Sequence, residues 1–252
     1  MPGIAIVTGA SSGMGAEFCR SLDSEGLECI WLVARRADRL EAVASELKTP
    51  SRVITTDLSG HEGVDSLLSI VASEKPDIRF LVNCAGLGKF GKTWEVPAED
   101  TRSMVGLNVS ALVDITNGCI PLMRKGSSII EVCSASAYMP LAELNVYSAS
   151  KAFVRAYCEG LRQELDGTGI SLIEVSPGWV GTEFIALSQS SDSVPEKVFK
   201  HTVTSERVVA DAMRDLKKGR KRSVCGPYNK LQVFLCRHMP AIASRVWRNS
   251  LR

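Results

Sequence analysis

The sequence predicts an α/β fold: a doubly wound parallel sheet in one domain. Three observations carry that prediction. Short, continuously apolar runs alternate with segments of helical spacing along the chain. A glycine-rich turn joins the first such run to the first helical segment. No linker, repeat or low-complexity stretch breaks the pattern. Strands without polar alternation are those buried on both faces, as in a parallel sheet covered by helices. Right-handed crossovers then wind such a sheet in two directions from its middle.

The elements follow in order. Ile4-Ala5-Ile6-Val7 is a strand, and Gly13 to Glu25 a helix. Cys29 to Val33 is the second strand, and Ala37 to Leu47 a helix through Leu40, Val43 and Leu47. Arg52 to Thr55 is the third strand, with a helix over Val64 to Val71. Ile78 to Asn83 is the fourth. A long helical region covers about Pro97 to Met123, with Gly106 and Gly118 as weak points. Ser128 to Cys133 is the fifth strand, a helix over Tyr147 runs to about Leu165, and Ser171 to Val175 is the sixth strand. A short strand at Ser223 to Cys225 and helix-like segments beyond it complete the chain. We therefore expect one domain over 1–252, with a basic extension over about 216–252.

Composition narrows the class. The chain has 252 residues, 45% hydrophobic and 23% charged, enough for a sizeable core. No run approaches the roughly 18–20 consecutive apolar residues of a spanning helix. No basic n-region followed by an apolar stretch opens the sequence, so a cytoplasmic setting is the expectation. The eight cysteines have no C-x-x-C pair and no histidine spacing for zinc, so they read as reduced core thiols and no metal site is expected.

The first loop reads Thr8-Gly9-Ala10-Ser11-Ser12-Gly13-Met14-Gly15. Glycines between a strand and a helix let the backbone turn sharply and approach a pyrophosphate at the helix N-terminus. The spacing G-x-x-x-G-x-G differs from the common G-x-G-x-x-G. Opening an alternating pattern, it predicts nucleotide binding. An NAD site places an acid about 20 residues further on, for the ribose 2′-hydroxyl. Here Val33-Ala34-Arg35-Arg36 stands instead, with no acid before Asp38. Two guanidiniums suit a 2′-phosphate, so NADP is expected over NAD.

Tyr147 and Lys151 are four residues apart on one predicted helix, a spacing that puts their Cβ atoms about 5–6 Å apart on one face. A phenol's pKa of about 10 would need to fall by about three units, roughly 4 kcal/mol, to reach neutral pH. A neighbouring ammonium favours the phenolate, and a second positive charge would help. The pair could therefore form a general acid–base. A tyrosine resting on a lysine's alkyl stem is the bland alternative.

Thr8-Gly-x-x-x-Gly13-x-Gly15, Asn83-Cys84-Ala85-Gly86, Ser134, Tyr147-x-x-x-Lys151 and Pro177-Gly178 together resemble the classical short-chain dehydrogenase/reductase family. The likeness runs from about Ile4 to Thr182 in the family's order and spacing. It implies a Rossmann-type fold and NAD(P)-dependent oxidation of an alcohol or reduction of a carbonyl. It makes Tyr147 the proton donor or acceptor, Lys151 the residue that holds the nicotinamide ribose and lowers the tyrosine's pKa, and Ser134 the hydrogen-bond donor to the substrate oxygen, with Ser136 as alternative. Asn108 resembles the asparagine that keeps a water against the lysine. Gly9, Ser11, Ser12, Gly13, Met14 and Gly15 match the phosphate loop, joined by Arg35 and Arg36. Asp57 and Leu58 match the adenine contact, and Asn83, Ala85 and Gly86 the segment under the adenine ribose. Pro177, Gly178, Val180 and Thr182 match the stretch that meets the nicotinamide amide. A homodimer or homotetramer is implied as well.

The substrate end is less defined. Leu87 to Trp94, Ala135 to Leu144 and Trp179 to about Lys200 should border it, and they carry Phe90, Trp94, Tyr138, Met139, Leu141, Leu144, Trp179, Phe184 and Leu187. These side chains fit an apolar steroid-like, bile-acid-like or acyl-chain substrate, or ordinary loop packing. Leu187 to Ser193 is polar enough for part of a lid. Leu216 to Arg252 carries ten Lys/Arg and no acid, against a balance of −8 before it. This tail reads as a helix closing the pocket or an oligomer contact, with peripheral membrane contact as the alternative. No reading motif accompanies the charge, so nucleic acid is not expected. Two other readings stay open: a membrane-surface 3-oxoacyl reductase, and an NADP(H)-sensing regulator without turnover.

Overall fold

The computed structural model describes residues 2–188, 199 and 201–251. Its sheet has seven strands, all paired in parallel: β1 (Ile4–Thr8), β2 (Cys29–Ala34), β3 (Ser51–Thr55), β4 (Ile78–Asn83), β5 (Met123–Val132), β6 (Ser171–Val175) and β7 (Arg222–Ser223). Their order is β3-β2-β1-β4-β5-β6-β7. The winding reverses between β1 and β4. A crevice therefore opens beyond the carboxyl ends of those two strands, where open α/β sheets bind ligands.

Alternation along each strand builds two cores. Ile6, Val33, Leu81 and Ile129 face one layer, packed against Leu67 of α3 (His61–Glu74) and Val154 of α6 (Asn145–Glu164). Val7, Leu32, Val82 and Ile130 face the other, against Phe18 of α1 (Gly13–Leu22), Leu40 of α2 (Ala37–Glu46) and Val208 of α8 (Ser205–Lys217). The long helical region is one continuous column: α4 (Ala98–Val105), a π-helical segment Gly106–Ala111, α5 (Leu112–Cys119) and a closing turn Ile120–Leu122. By length and composition Ala98–Leu122 could cross a membrane. Here its Met104, Leu112 and Ile115 pack into the first of these cores. The helix widens at Gly106, the expected weak point, where a Cβ would stand 2.5 Å from the Ser59 carbonyl.

The last strand is Arg222–Ser223 rather than Ser223 to Cys225. Cys225 is already past the sheet, before α9 (Pro227–His238). α9 and α10 (Pro240–Ser250) form the C-terminal pair. α8 was not expected from the sequence pattern. Its start is capped by Thr204, whose hydroxyl accepts from the Arg207 amide at 3.3 Å.

Candidate active site

The β1–α1 turn sets the floor of the cleft. Gly9 has φ +70°, and a Cβ there would stand 2.9 Å from Ala85 Cα. A Cβ on Gly15 would stand 2.2 Å from the Gly9 carbonyl. Only glycine fits this approach of loop, helix start and β4 loop. Thr8 Oγ1 ties the two loops by accepting from the Cys84 and Ala85 amides, both at 3.1 Å.

The cleft above this floor holds about 470 Å³. It is lined by Gly9, Ser11, Ser12, Gly13, Met14 and Gly15, by Arg35, Arg36, Asp57 and Leu58, and by Ala85 and Gly86. Ser134, Tyr147, Lys151, Pro177, Gly178, Val180 and Thr182 complete that wall. Residues far apart in sequence thus converge on one crevice, and the glycine cradle leaves the room a dinucleotide's phosphates need. Arg36 reaches back over the loop to Ser12 Oγ at 3.1 Å and Ser11 Oγ at 3.3 Å. Arg35 lies 3.6 Å from Asp57.

Two expected residues, Asn83 and Asn108, do not line the cleft. Asn83 Nδ2 donates to Thr116 Oγ1 at 2.8 Å and to Glu131 Oε1 at 3.0 Å, beneath the floor. Only the backbone that follows it, Cys84 to Gly86, reaches the crevice. Asn108 sits in the π-helical segment, fully buried. Its Nδ2 donates to the Leu87 carbonyl at 2.8 Å and Ser150 Oγ at 3.0 Å, and its Oδ1 accepts from the Leu87 amide at 2.9 Å. It clamps the loop that carries Ala85 and Gly86.

Helix α6 presents Tyr147 and Lys151 on one face, with the lysine nitrogen 5.9 Å from the ring centre. The surroundings of the phenol work against the acidity expected from that spacing. Burial pushes the Tyr147 phenol up, and the hydrogen bond with Ser134 only partly opposes it. Lys151 Nζ donates to the Val132 carbonyl at 2.8 Å instead, and burial lowers its own pKa. Ser134 Oγ accepts from the Ser136 amide at 3.1 Å, which fixes its position at the start of a short 3₁₀ turn. Ser136 lines the cleft too.

At the substrate end, Met139, Leu141, Leu144, Trp179 and Phe184 line the cleft as expected. Phe184 leans on Tyr147, ring centres 5.4 Å apart. Phe90, Trp94 and Tyr138 do not line it: Phe90 is buried behind Trp179, Trp94 is 80% exposed, and Tyr138 donates to Glu174 at 2.6 Å. The stretch from Gln189 to Ser193, part of the expected lid, lies outside the described residues. Gln232, Trp247 and Glu183 are among the lining residues that no motif marked. Gln232 and Trp247 come from α9 and α10, so the C-terminal pair does close the pocket. Glu183, at the start of α7 (Glu183–Ser188), pairs with Arg36 at 3.0 Å and with Arg39. Those two guanidiniums, Arg39 first, hold its carboxyl below the usual range.

A short chain dehydrogenase family model matches residues 3–192. The chain belongs to the short-chain dehydrogenase family. Serine 3-dehydrogenase of Agrobacterium fabrum is 34% identical over 186 residues, covering 73% of this chain and 74% of its own. Among solved structures, a closed form of serine dehydrogenase complexed with NADP+ is 29% identical with TM-score 0.76, covering 89% of this chain and 95% of that one. A 7β-hydroxysteroid dehydrogenase shares the fold at TM-score 0.81 and 24% identity, over 97% of this chain and 96% of that one. This short-chain dehydrogenase is accordingly an NAD(P)-dependent oxidoreductase acting on CH–OH groups.

Proposed function

We propose that the enzyme interconverts a secondary alcohol and a ketone on an apolar substrate, with NADP(H) favoured over NAD. The observation that carries this reading is the meeting of Ser134, Tyr147 and Lys151 with an apolar wall of Met139, Leu141, Leu144, Trp179, Phe184 and Trp247 in one cleft. Arg36, braced by Ser11 and Ser12, stands at its other end as the partner for a 2′-phosphate. The relative crystallised with NADP+ supports the same preference. The wall favours a steroid-like, bile-acid-like or acyl-chain carbonyl over a sugar. An acyl-chain substrate would make the enzyme a 3-oxoacyl reductase.

When bound, the nicotinamide supplies or accepts the hydride. The residues of the chain manage the oxygen. Ser134 donates a hydrogen bond to it, and Tyr147 delivers the proton in reduction or takes it in oxidation, both aimed where negative charge develops. Lys151 orients the ribose and adds positive charge beside the phenol. Burial holds the Tyr147 phenol high; Lys151, which keeps two further N–H groups beyond its bond to the Val132 carbonyl, and a second cation would both favour the phenolate. Asn108 acts by clamping the Leu87 backbone beside the cleft.

Tyr147→Phe tests this directly. Turnover should fall by about 10²–10⁴-fold while NADPH binding, read by fluorescence, survives. Unchanged turnover would remove the mechanism, and no turnover in the parent on any substrate would favour the sensing reading. A panel of steroid, bile-acid and acyl-chain ketones and secondary alcohols, followed by reduced-nicotinamide absorbance with both cofactors, tests substrate and cofactor preference. We place the enzyme in the cytoplasm, in keeping with its eight unpaired cysteines, and as a homodimer or homotetramer. Cell fractionation and light scattering check those two points.

A further inference from the structure

The C-terminal pair α9–α10 has two faces with different tasks. The inner face belongs to the cleft: Trp247 Nε1 donates to the Ala142 carbonyl at 2.9 Å, Cys236 Sγ lies 3.7 Å from Met139 Sδ, and Val233 is buried. The outer face is apolar and open. Ten large apolar side chains are exposed among the described residues, and seven of them fall here: Tyr228, Leu231, Phe234, Leu235, Met239, Ile242 and Val246. Leu231, Phe234 and Leu235 recur at helical spacing on α9, as Ile242 and Val246 do on α10. Such a concentration on one element marks an interaction surface rather than scattered surface residues.

Charge selects the occupant. Lys230, Arg237, Arg245 and Arg248 are exposed on the same two helices. Among the described residues no carboxylate pairs with them, and Leu216 to Arg252 contains no acid. A two-fold contact between copies through this face would bring like charges together with nothing on it to offset them. An anionic lipid surface meets both demands: its headgroups take the cations and its acyl boundary takes the apolar stripe. We propose that α9–α10 docks the enzyme on anionic membrane surfaces, lying in the interface with its outer face down. The pair also walls the substrate end of the cleft, so docking sets that end beside the bilayer. The docking itself does not depend on which substrate is turned over.

The full chain should sediment with vesicles of phosphatidylcholine containing phosphatidylserine, release at high salt, and ignore phosphatidylcholine alone. Arg237→Gln with Arg245→Gln should weaken the apparent affinity about fivefold for each cation removed. Leu231→Ser with Phe234→Ser should abolish binding while turnover of a water-soluble substrate is kept. Thermal midpoint and NADPH binding establish that each variant is folded, and the salt and lipid dependence of the parent stands even if one is not. A parent that stays in the supernatant with anionic vesicles at low salt overturns the proposal. So does vesicle binding indifferent to both pairs of substitutions. If the parent ignores vesicles and Leu231→Ser with Phe234→Ser lowers its mass by light scattering, the face belongs to a second copy.

Discussion

Glu131 on β5 and Glu174 on β6 are direct neighbours in register, and both are fully buried, yet the protein treats them differently. Glu174 is surrounded by donors. Arg222 lies at 3.2 Å, Arg162 at 3.8 Å, and the Tyr138 and Ser176 hydroxyls each at 2.6 Å. Among the described residues Glu131 has only neutral partners, Asn83 and Thr116, on one oxygen, and its Oε2 has none. Burial, incompletely opposed by those hydrogen bonds and by the charge of Lys151, pushes its carboxyl up to about 7. Equal burial on one sheet thus leaves one carboxyl among guanidiniums and hydroxyls and the other with neutral partners on a single oxygen. Depth alone does not set the surroundings of a buried group; the partners that distant elements supply do. Each acid also lies just before a site segment: Ser134 follows Glu131 by three residues, and Pro177 follows Glu174 by three.

The largest effect should come from stripping the ion pair. Arg222→Ala leaves Glu174 underneath with one distant guanidinium, and unfolding in urea should show a loss of about 3–5 kcal/mol. A loss below about 1 kcal/mol would mean that Arg162 and the hydroxyls suffice and would dissolve the contrast. Glu131→Gln should act with the opposite sign and only at high pH. The folded carboxyl titrates near 7 and the ordinary value is 4.5, so the folded chain holds this proton more tightly than the unfolded one. That contribution is complete below about pH 4.5 and is lost as the pH rises through 7. The Gln variant should therefore match the parent near pH 4.5 and exceed it by roughly 3 kcal/mol at pH 8. Equal stability at both pH values would show Glu131 to be an ordinary carboxylate.

Tyr138→Phe removes one short buried hydrogen bond to Glu174 and should cost about 1–2 kcal/mol in the same assay. Thr116→Val sharpens the other side. Its hydroxyl lies 3.1 Å from Glu131 Oε1 and favours the ionised form, so its loss should move the midpoint of the pH–stability curve above that of the parent. A midpoint that moves down would reverse the assigned role of that hydroxyl.

Much of this arrangement was readable from local pattern. β4 and β6 begin and end where the apolar runs do, and the glycine turn marked the cleft floor. Tyr147 and Lys151 fall on one face because helical period alone puts them there. α8 carries no motif, and its apolar face of Val208, Val209, Ala212 and Met213 stands behind a threonine cap in a segment rich in charge. The side-chain direction of Asn83 could not be read, because it follows from Glu131, 48 residues away. Gln232 and Trp247 belong to a tail whose composition advertises charge, while the residues that line the cleft are its few inward-facing ones.

The sequence by itself determined the alternating elements, the parallel sheet, the glycine-rich turn and the placing of Tyr147 and Lys151 on one helix face. Those depend on short-range periodicity and on backbone freedom, which neighbouring residues set. Only the tertiary structure decided that Lys151 donates to the Val132 carbonyl, that burial holds Tyr147 above its ordinary pKa, and that adjacent glutamates differ in their partners. Those properties depend on solvent exclusion and on partners supplied by distant strands and helices, and residue spacing along the chain contains neither.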